Sequence, residues 1–185
     1  MATKNHTKTY RLALIGVMTA ILCILGPLSI PLPFSPVPLS LTNFAVLLAV
    51  FLLGWKWGTV SCGIYLLLGL VGVPVFSGFS GGIAKLLGPT GGYLVGFLFL
   101  AVISGLFVEK FEQARLPVAA GMALGMLVDY LFGTLWLAFL MKLSFGQALM
   151  MGVVPYLAGD MVKLIVALLL GSALRRRLQS LRILG

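Results

Sequence analysis

Three ionisable side chains sit inside long apolar stretches of this 185-residue chain: Asp129 in GMLVDYLFGTLW, and Asp160 with Lys163 in PYLAGDMVKL. A charge near the centre of a membrane helix costs about 2.5–3.5 kcal/mol by insertion scales, so one kept there is a functional-site candidate. Asp160 and Lys163 are three residues apart, which on a helix places them on one face within reach of each other. One reading is an ion pair that only neutralises itself. The other is a ligand cage, a carboxylate acceptor beside an ammonium donor with little net charge. A neutral ligand with adjacent N–H and C=O groups suits such a cage. For Asp129 two readings also stand: approach to the Asp160–Lys163 pair, or a helix interface that satisfies it.

The segment GPTGGYLVGF (88–97) carries a second kind of chemistry. Pro89 suits a helix start, Thr90 offers a hydroxyl, and Gly91 and Gly92 let a ligand approach the backbone. The free N–H groups and positive dipole end of the helix that follows form an anion site, with Lys85 as the cation of that loop. A tight turn with a solvent-facing lysine is the plainer reading. Asn43 adds a donor and an acceptor, while Phe34, Phe76, Phe79 and Tyr93 supply either aromatic walls or interfacial anchors. The candidate ligand contacts are therefore Asn43, Phe79, Lys85, Thr90, Gly92, Tyr93, Asp160 and Lys163.

No catalytic set accompanies them. The single histidine, His6, belongs to an N-terminal tail remote from Ser77 and Ser80. GFSGG and GPTGG lack the Lys-Ser/Thr of a P-loop, and four acidic residues are too few for a carboxylate metal cluster. Cys23 and Cys62 lie within apolar runs and read as inert small residues. The expectation is a protein that is not an enzyme and uses neither metal nor cofactor.

Such residues must be held by membrane helices. The chain is 61% hydrophobic and 9% charged, with a mean hydropathy of +1.14. A soluble domain averages about 45–50% apolar and about 25% charged residues. Six apolar runs read as spans, at about 10–26, 41–54, 58–73, 91–108, 117–141 and 155–174, in a single all-α membrane domain over residues 1–185. The second run is short and requires tilt or lengthening by its neighbours.

With the N-terminus in the cytoplasm, six spans return the C-terminus there. The inside segments then hold ten lysines and arginines (Lys4, Lys8, Arg11, Lys56, Lys110, Arg115, Arg175, Arg176, Arg177, Arg182), against Lys85 and Lys142 outside. A net charge of +9 placed at the ends of apolar runs suits a membrane surface, not nucleic acid. Lys56, between Trp55 and Trp57, reads as an interfacial anchor. Residues 27–40 contain five of the nine prolines and no charge, and residues 74–90 are rich in Gly, Ser and Pro. These two outside loops either fold back over the helix ends or serve only as compact connectors. Ala13, Gly16 and Ala20 give the first span a small-residue face, for internal packing or for docking another membrane subunit.

The runs PFSPVPLSLTNFAVLLAVFLLG, GLVGVPVFSGFSGGIAKLLGPTGGYLVGF, YLFGTLWLAF and PYLAGDMVKL resemble, in matching order over about residues 12–174, the BioY family. These are biotin-specific S components, the substrate-capture subunits of energy-coupling factor (ECF) transporters. The resemblance implies six helices, cytoplasmic termini, and a biotin pocket near the outer face, roofed by the first and third connecting loops. The family's Asp-x-x-Lys matches Asp160 and Lys163, and biotin's ureido ring, with two N–H donors and one C=O acceptor, complements that pair. The thiophane ring and aliphatic chain call for an apolar, aromatic-lined wall. The valerate carboxylate falls to Lys85 with the Thr90–Gly92 turn, although which pole takes which end of biotin stays open. Many members read T-L-Q where this chain reads S-L-T-N, so Thr42 stands at the glutamine position and the polar role passes to Asn43.

On that resemblance biotin is the transported substrate, and ATP-driven uptake requires a transmembrane coupling subunit and two ATP-binding cassette ATPases. The resemblance also implies a multi-pass bacterial cell membrane protein, and the small-residue face of Ala13, Gly16 and Ala20 is the candidate for docking the coupling subunit. The alternatives are a stand-alone oligomeric biotin transporter, an S component for another vitamin, or a small intramembrane enzyme or scaffold using Asp129 and Asp160.

Overall fold

A computed structural model describes residues 2–111 and 114–180, with side chains described between residues 9 and 178. The side chains of Lys4, His6 and Lys8, and Arg182 as a whole, lie outside the described residues. The chain runs α1 (Ala2–Leu25), β1 (Ser29–Leu32), β2 (Ser35–Ser40), α2 (Thr42–Leu70), α3 (Ile83–Leu86), α4 (Gly91–Lys110), α5 (Arg115–Met141) and α6 (Phe145–Gly152). A 3-10 turn (Val154–Tyr156) then leads into α7 (Leu157–Ser180). Among the described residues, four stretches are long and apolar enough to cross a membrane: α2, α4, α5 and Phe145–Leu178. Thr9–Leu25 forms a shorter apolar helix.

α2 is a helical hairpin. At Gly54 the backbone leaves the helix, with φ 76° and ψ 179°. A Cβ built on Gly58 would lie 2.7 Å from the Val50 side chain, whereas eight residues of straight helix separate such positions by about 12 Å. The chain therefore reverses at residue 54, and the runs expected at 41–54 and 58–73 are the two arms of one element. Glu109 secures the reversal, its Oε1 accepting the Trp55 N–H at 3.1 Å. The first arm, residues 42–53, is only about 18 Å long, and the β-hairpin precedes its N-terminus. This is how a run too short for a span fits the bundle.

α4 and α5 pack closely at glycines. A Cβ at Gly133 would fall 2.1 Å from the Tyr93 ring, and one at Gly96 would fall 2.2 Å from Asp129 Oδ1. Small residues at such crossings let helix backbones approach. Leu22, Val46, Leu47, Val50, Tyr65, Phe76, Leu100 and Met122 form the main core. Leu12, Val17, Leu67, Leu127, Leu131 and Leu169 face outward, as a surface solvated by lipid requires. One end of the bundle collects cations. Arg11 lies 5.6 Å from the Trp57 ring centre, Lys56 5.4 Å from that of Trp55, and Arg175 Nη1 donates to the Phe51 carbonyl at 2.8 Å.

Residues 27–40, expected as an outside loop that folds back over the helix ends or serves as a compact connector, contain an antiparallel hairpin pairing Ser29 with Ser40, Ile30 with Leu39 and Leu32 with Ser35. Proline removes a ladder donor, but in a two-stranded sheet each strand is an edge, so Pro31, Pro36 and Pro38 are tolerated. Helix α6 lies outside the six expected spans. Its start carries a capping box, Ser144 Oγ taking the Gln147 N–H while Gln147 Oε1 takes the Ser144 N–H.

Candidate functional site

The opening turns of α2 and α7, the end of β2 and the middle of α5 meet at one buried carboxylate. Asp160 is 5% exposed. Its Oδ1 accepts from Lys163 Nζ at 2.8 Å and from Asn43 Nδ2 at 2.9 Å, and its Oδ2 accepts from the Tyr130 hydroxyl at 2.5 Å. The helical spacing of Asp160 and Lys163 does what the sequence suggested and makes an ion pair. The position of Asp160 in the first turn of α7 adds the favourable end of the helix dipole. Lys163 also donates to the Ser40 carbonyl at 2.5 Å and lies 3.4 Å from Asn43 Oδ1. The hairpin, α2, α5 and α7 are thus tied through four side chains. A buried pair of this kind offsets its desolvation only when further hydrogen bonds satisfy it, and Asn43, Tyr130 and Ser40 supply them.

Beside this network is a cavity of about 60 Å³. Val37, Pro38, Leu39 and Ser40 of the hairpin form one wall, Tyr93, Phe97, Tyr130 and Tyr156 supply aromatic surface, and Asn43, Asp129, Asp160 and Lys163 supply polarity. The Tyr93 hydroxyl donates to the Gly152 carbonyl at 2.8 Å, which fixes its ring in place. The hairpin is fastened down by Tyr156, whose hydroxyl donates to the Val37 carbonyl, and by Ser35, whose Oγ donates to the Met151 carbonyl at 2.8 Å. A pocket for a small-molecule ligand is usually about 300–1,000 Å³, so the walls must part to admit one. A neighbouring space of about 390 Å³ shares Leu39, Ser40 and Lys163 with the cavity.

Of the eight candidate contacts, the structure brings Asn43, Tyr93, Asp160 and Lys163 around this cavity and leaves Phe79, Lys85, Thr90 and Gly92 outside its lining. Gly92 packs against Trp136, where a Cβ would fall 2.4 Å from the Trp136 Cβ, and lines a separate apolar groove of about 500 Å³ with Leu86, Phe132 and Phe139. Thr90 precedes α4 with its hydroxyl buried and without a side-chain cap bond. Lys85 lies half-buried on α3, where loss of solvent pushes its ammonium below the usual lysine range. Phe79 is 68% exposed with φ 52°, Phe34 is exposed near the hairpin tip, and Phe76 packs edge-on against Tyr65 in the core.

Tyr130, Tyr156 and the Ser40 carbonyl were not among the candidates. The i, i+4 spacing of Tyr156 and Asp160 is a signal for one of them. Tyr130 and Ser40 arrive from other elements and leave no local signature. Asp129, for which the sequence left two readings, lies both against Gly96 at the α4–α5 interface and in the lining of the cavity. Ala13, Gly16 and Ala20 are exposed on α1, with open space around Gly16.

The comparisons with known proteins point the same way. The sequence model of the BioY family matches residues 1–180. The biotin transporter BioY of Thermotoga maritima is 40% identical over 161 residues, covering 87% of this chain and 93% of that protein. The probable biotin transporter BioY of Pyrococcus horikoshii is 38% identical over 168 residues, covering 91% and 98%. A crystal structure of the S-component for biotin from an ECF-type ABC transporter superposes with a TM-score of 0.87 at 35% identity, over 93% of this chain and 94% of that one. This multi-pass membrane protein belongs to the BioY family.

Proposed function

We propose that this chain captures biotin as the S component of an ECF-type transporter and has no catalytic activity of its own. The observation that carries this reading is the buried Asn43–Tyr130–Asp160–Lys163 network, set against an aromatic-walled cavity. It presents donors and acceptors side by side at the foot of a hydrophobic site, matching a ring with two N–H groups and one C=O. The names of the relatives and of the structural neighbour supply the ligand.

In this reading the chain crosses the membrane six times, counting both arms of α2, with both termini in the cytoplasm. The cation-rich end of the bundle faces inward and the β-hairpin roofs the site on the outside. The ring enters the polar network, and the carboxylate is left to the outer loops, where Lys85 is the cation between residues 57 and 109. The small face of Ala13, Gly16 and Ala20 docks the transmembrane coupling subunit, which carries the two ATPases.

The test is mass spectrometry of small molecules released on denaturing the purified, detergent-solubilised chain, followed by titration with biotin, riboflavin and thiamine. Stoichiometric biotin, or saturable binding of biotin alone, is expected. Absence of biotin from both measurements would overturn the substrate, and preference for another vitamin would replace it. Uptake in a host lacking the coupling module would overturn the S-component role in favour of a stand-alone carrier.

A further inference from the structure

We infer that Asp129 is a ligand-contacting residue of the same cavity, the acceptor for an N–H group of the bound ring and hence a determinant of specificity. The inference rests on the biotin reading and adds to it a carboxylate outside the Asp160–Lys163 pair. Asp129 is 3% exposed, and its Oδ1 is enclosed with no hydrogen-bond partner among the described residues. It shares the cavity lining with Asn43, Tyr130, Asp160 and Lys163.

Acceptor capacity is distributed unevenly across that lining. Asp160 already takes three donors, from Asn43, Lys163 and Tyr130. Lys163 directs its protons to Asp160, Ser40 and Asn43. A ring carrying two N–H donors therefore meets one carboxylate that is largely committed and a second whose Oδ1 is free. A carboxyl oxygen accepts in either protonation state.

Burying a polar atom without a partner is costly, and an apolar residue of the same shape avoids the cost. The fold also makes room for the carboxyl, because any side chain at Gly96 would collide with Oδ1. Asp129 Oδ1 lies against Gly96 at the edge of the cavity that Asp160 also lines, so rotation of the carboxyl is the movement that brings an oxygen to a ring beside Asp160. Terminal carboxyl torsions are broad enough to permit that turn.

The experiment compares the wild-type chain, Asp129→Leu and Asp129→Ala in detergent, measuring affinity for biotin and for biotin methylated at either ureido nitrogen, alongside thermal melting. Asp129→Leu is expected to weaken biotin by at least about tenfold, the range for a lost hydrogen bond to a charged group. Its melting temperature should hold or rise, because an unpartnered buried carboxyl has gone. The wild-type preference for biotin over one of the two methylated forms should collapse in the variant. Retention of biotin affinity within about twofold, or of the full preference against both methylated forms, would overturn the assignment.

If Asp129→Leu does not fold, Asp129→Ala, which also removes both acceptor oxygens, is read by the same preference, and an unchanged ratio overturns the assignment. A wild-type chain that binds no biotin overturns the functional reading itself. A wild-type chain that binds, with indifferent variants, overturns the role of Asp129 alone.

Discussion

Asp160 is held by three side chains, and this sets what its removal does. Asp160→Ala leaves the Lys163 ammonium, the Asn43 amide and the Tyr130 hydroxyl facing a hole. Breaking a buried pair by removing one partner costs about 3–5 kcal/mol of stability. Biotin affinity should fall by at least about tenfold for the lost charged hydrogen bond. Folding and binding are separable, because replacing a whole buried pair by apolar residues of similar volume is often neutral or stabilising. The double variant Asp160→Leu/Lys163→Met removes the uncompensated ammonium but leaves the Asn43 amide, the Tyr130 hydroxyl and the Ser40 carbonyl without their partners. It should therefore melt above Asp160→Ala and below the wild type yet bind no biotin, measured by thermal unfolding with and without ligand. Recovery of binding together with stability would show that the pair only holds the helices together. At this scale the sequence exposed what is local: Asp160 and Lys163 share a helix face by their spacing. The Tyr130 hydroxyl reaches that carboxylate, and the Ser40 carbonyl reaches the Lys163 ammonium, through tertiary packing that no spacing encodes.

The same division recurs among the elements. Apolar runs located the helices, and the two read as separate spans at 41–54 and 58–73 are the arms of the α2 hairpin, whose single-residue turn depends on the conformational freedom of glycine. At φ 76° and ψ 179°, Gly54 occupies a region essentially restricted to glycine, where other residues pay about 1–3 kcal/mol. A side chain there would also push Glu109 off the Trp55 N–H, since the added Cβ would fall 2.1 Å from Glu109 Oε1. Gly54→Ala should lower stability by about 1–3 kcal/mol. Gly63 provides the control of opposite sign: it lies inside the second arm with nothing within 4 Å of an added Cβ. Gly63→Ala should stabilise by about 0.5–1 kcal/mol, the helix preference for alanine over glycine. Denaturant-induced unfolding of the two variants in the same detergent tests the pair, and destabilisation of similar size in both would mean that residue 54 is not the hinge. The β-hairpin was hidden because its prolines argue against strands in general, while the case that applies here, a sheet with only edges, becomes visible once the partner strand is known.

Across the whole molecule, the site is small because the hairpin is fastened over it. The contacts that hold it include Tyr156 to the Val37 carbonyl and to Ser35 Oγ, Ser35 to the Met151 carbonyl, and Lys163 to the Ser40 carbonyl. The last of these belongs to the polar network itself, so a ligand that takes donors from Lys163 also weakens the hold on β2. A ligand larger than a cavity of about 60 Å³ needs a wall to move, and the hairpin is the wall whose Leu39 and Ser40 also border the adjoining space. A cysteine pair at Ser35→Cys and Met151→Cys would join the hairpin to α6 at its existing contact. The substitutions belong in a Cys23→Ala/Cys62→Ala background, because both native cysteines are free thiols. Oxidising this variant before biotin is added should slow association about tenfold or more, as expected when binding waits on a conformational change, and reduction should restore it. Oxidation after loading should trap the ligand and abolish exchange. Equal association rates for the oxidised and reduced protein would show that biotin enters without moving the hairpin, and the opening would then have to be sought between α5 and α7.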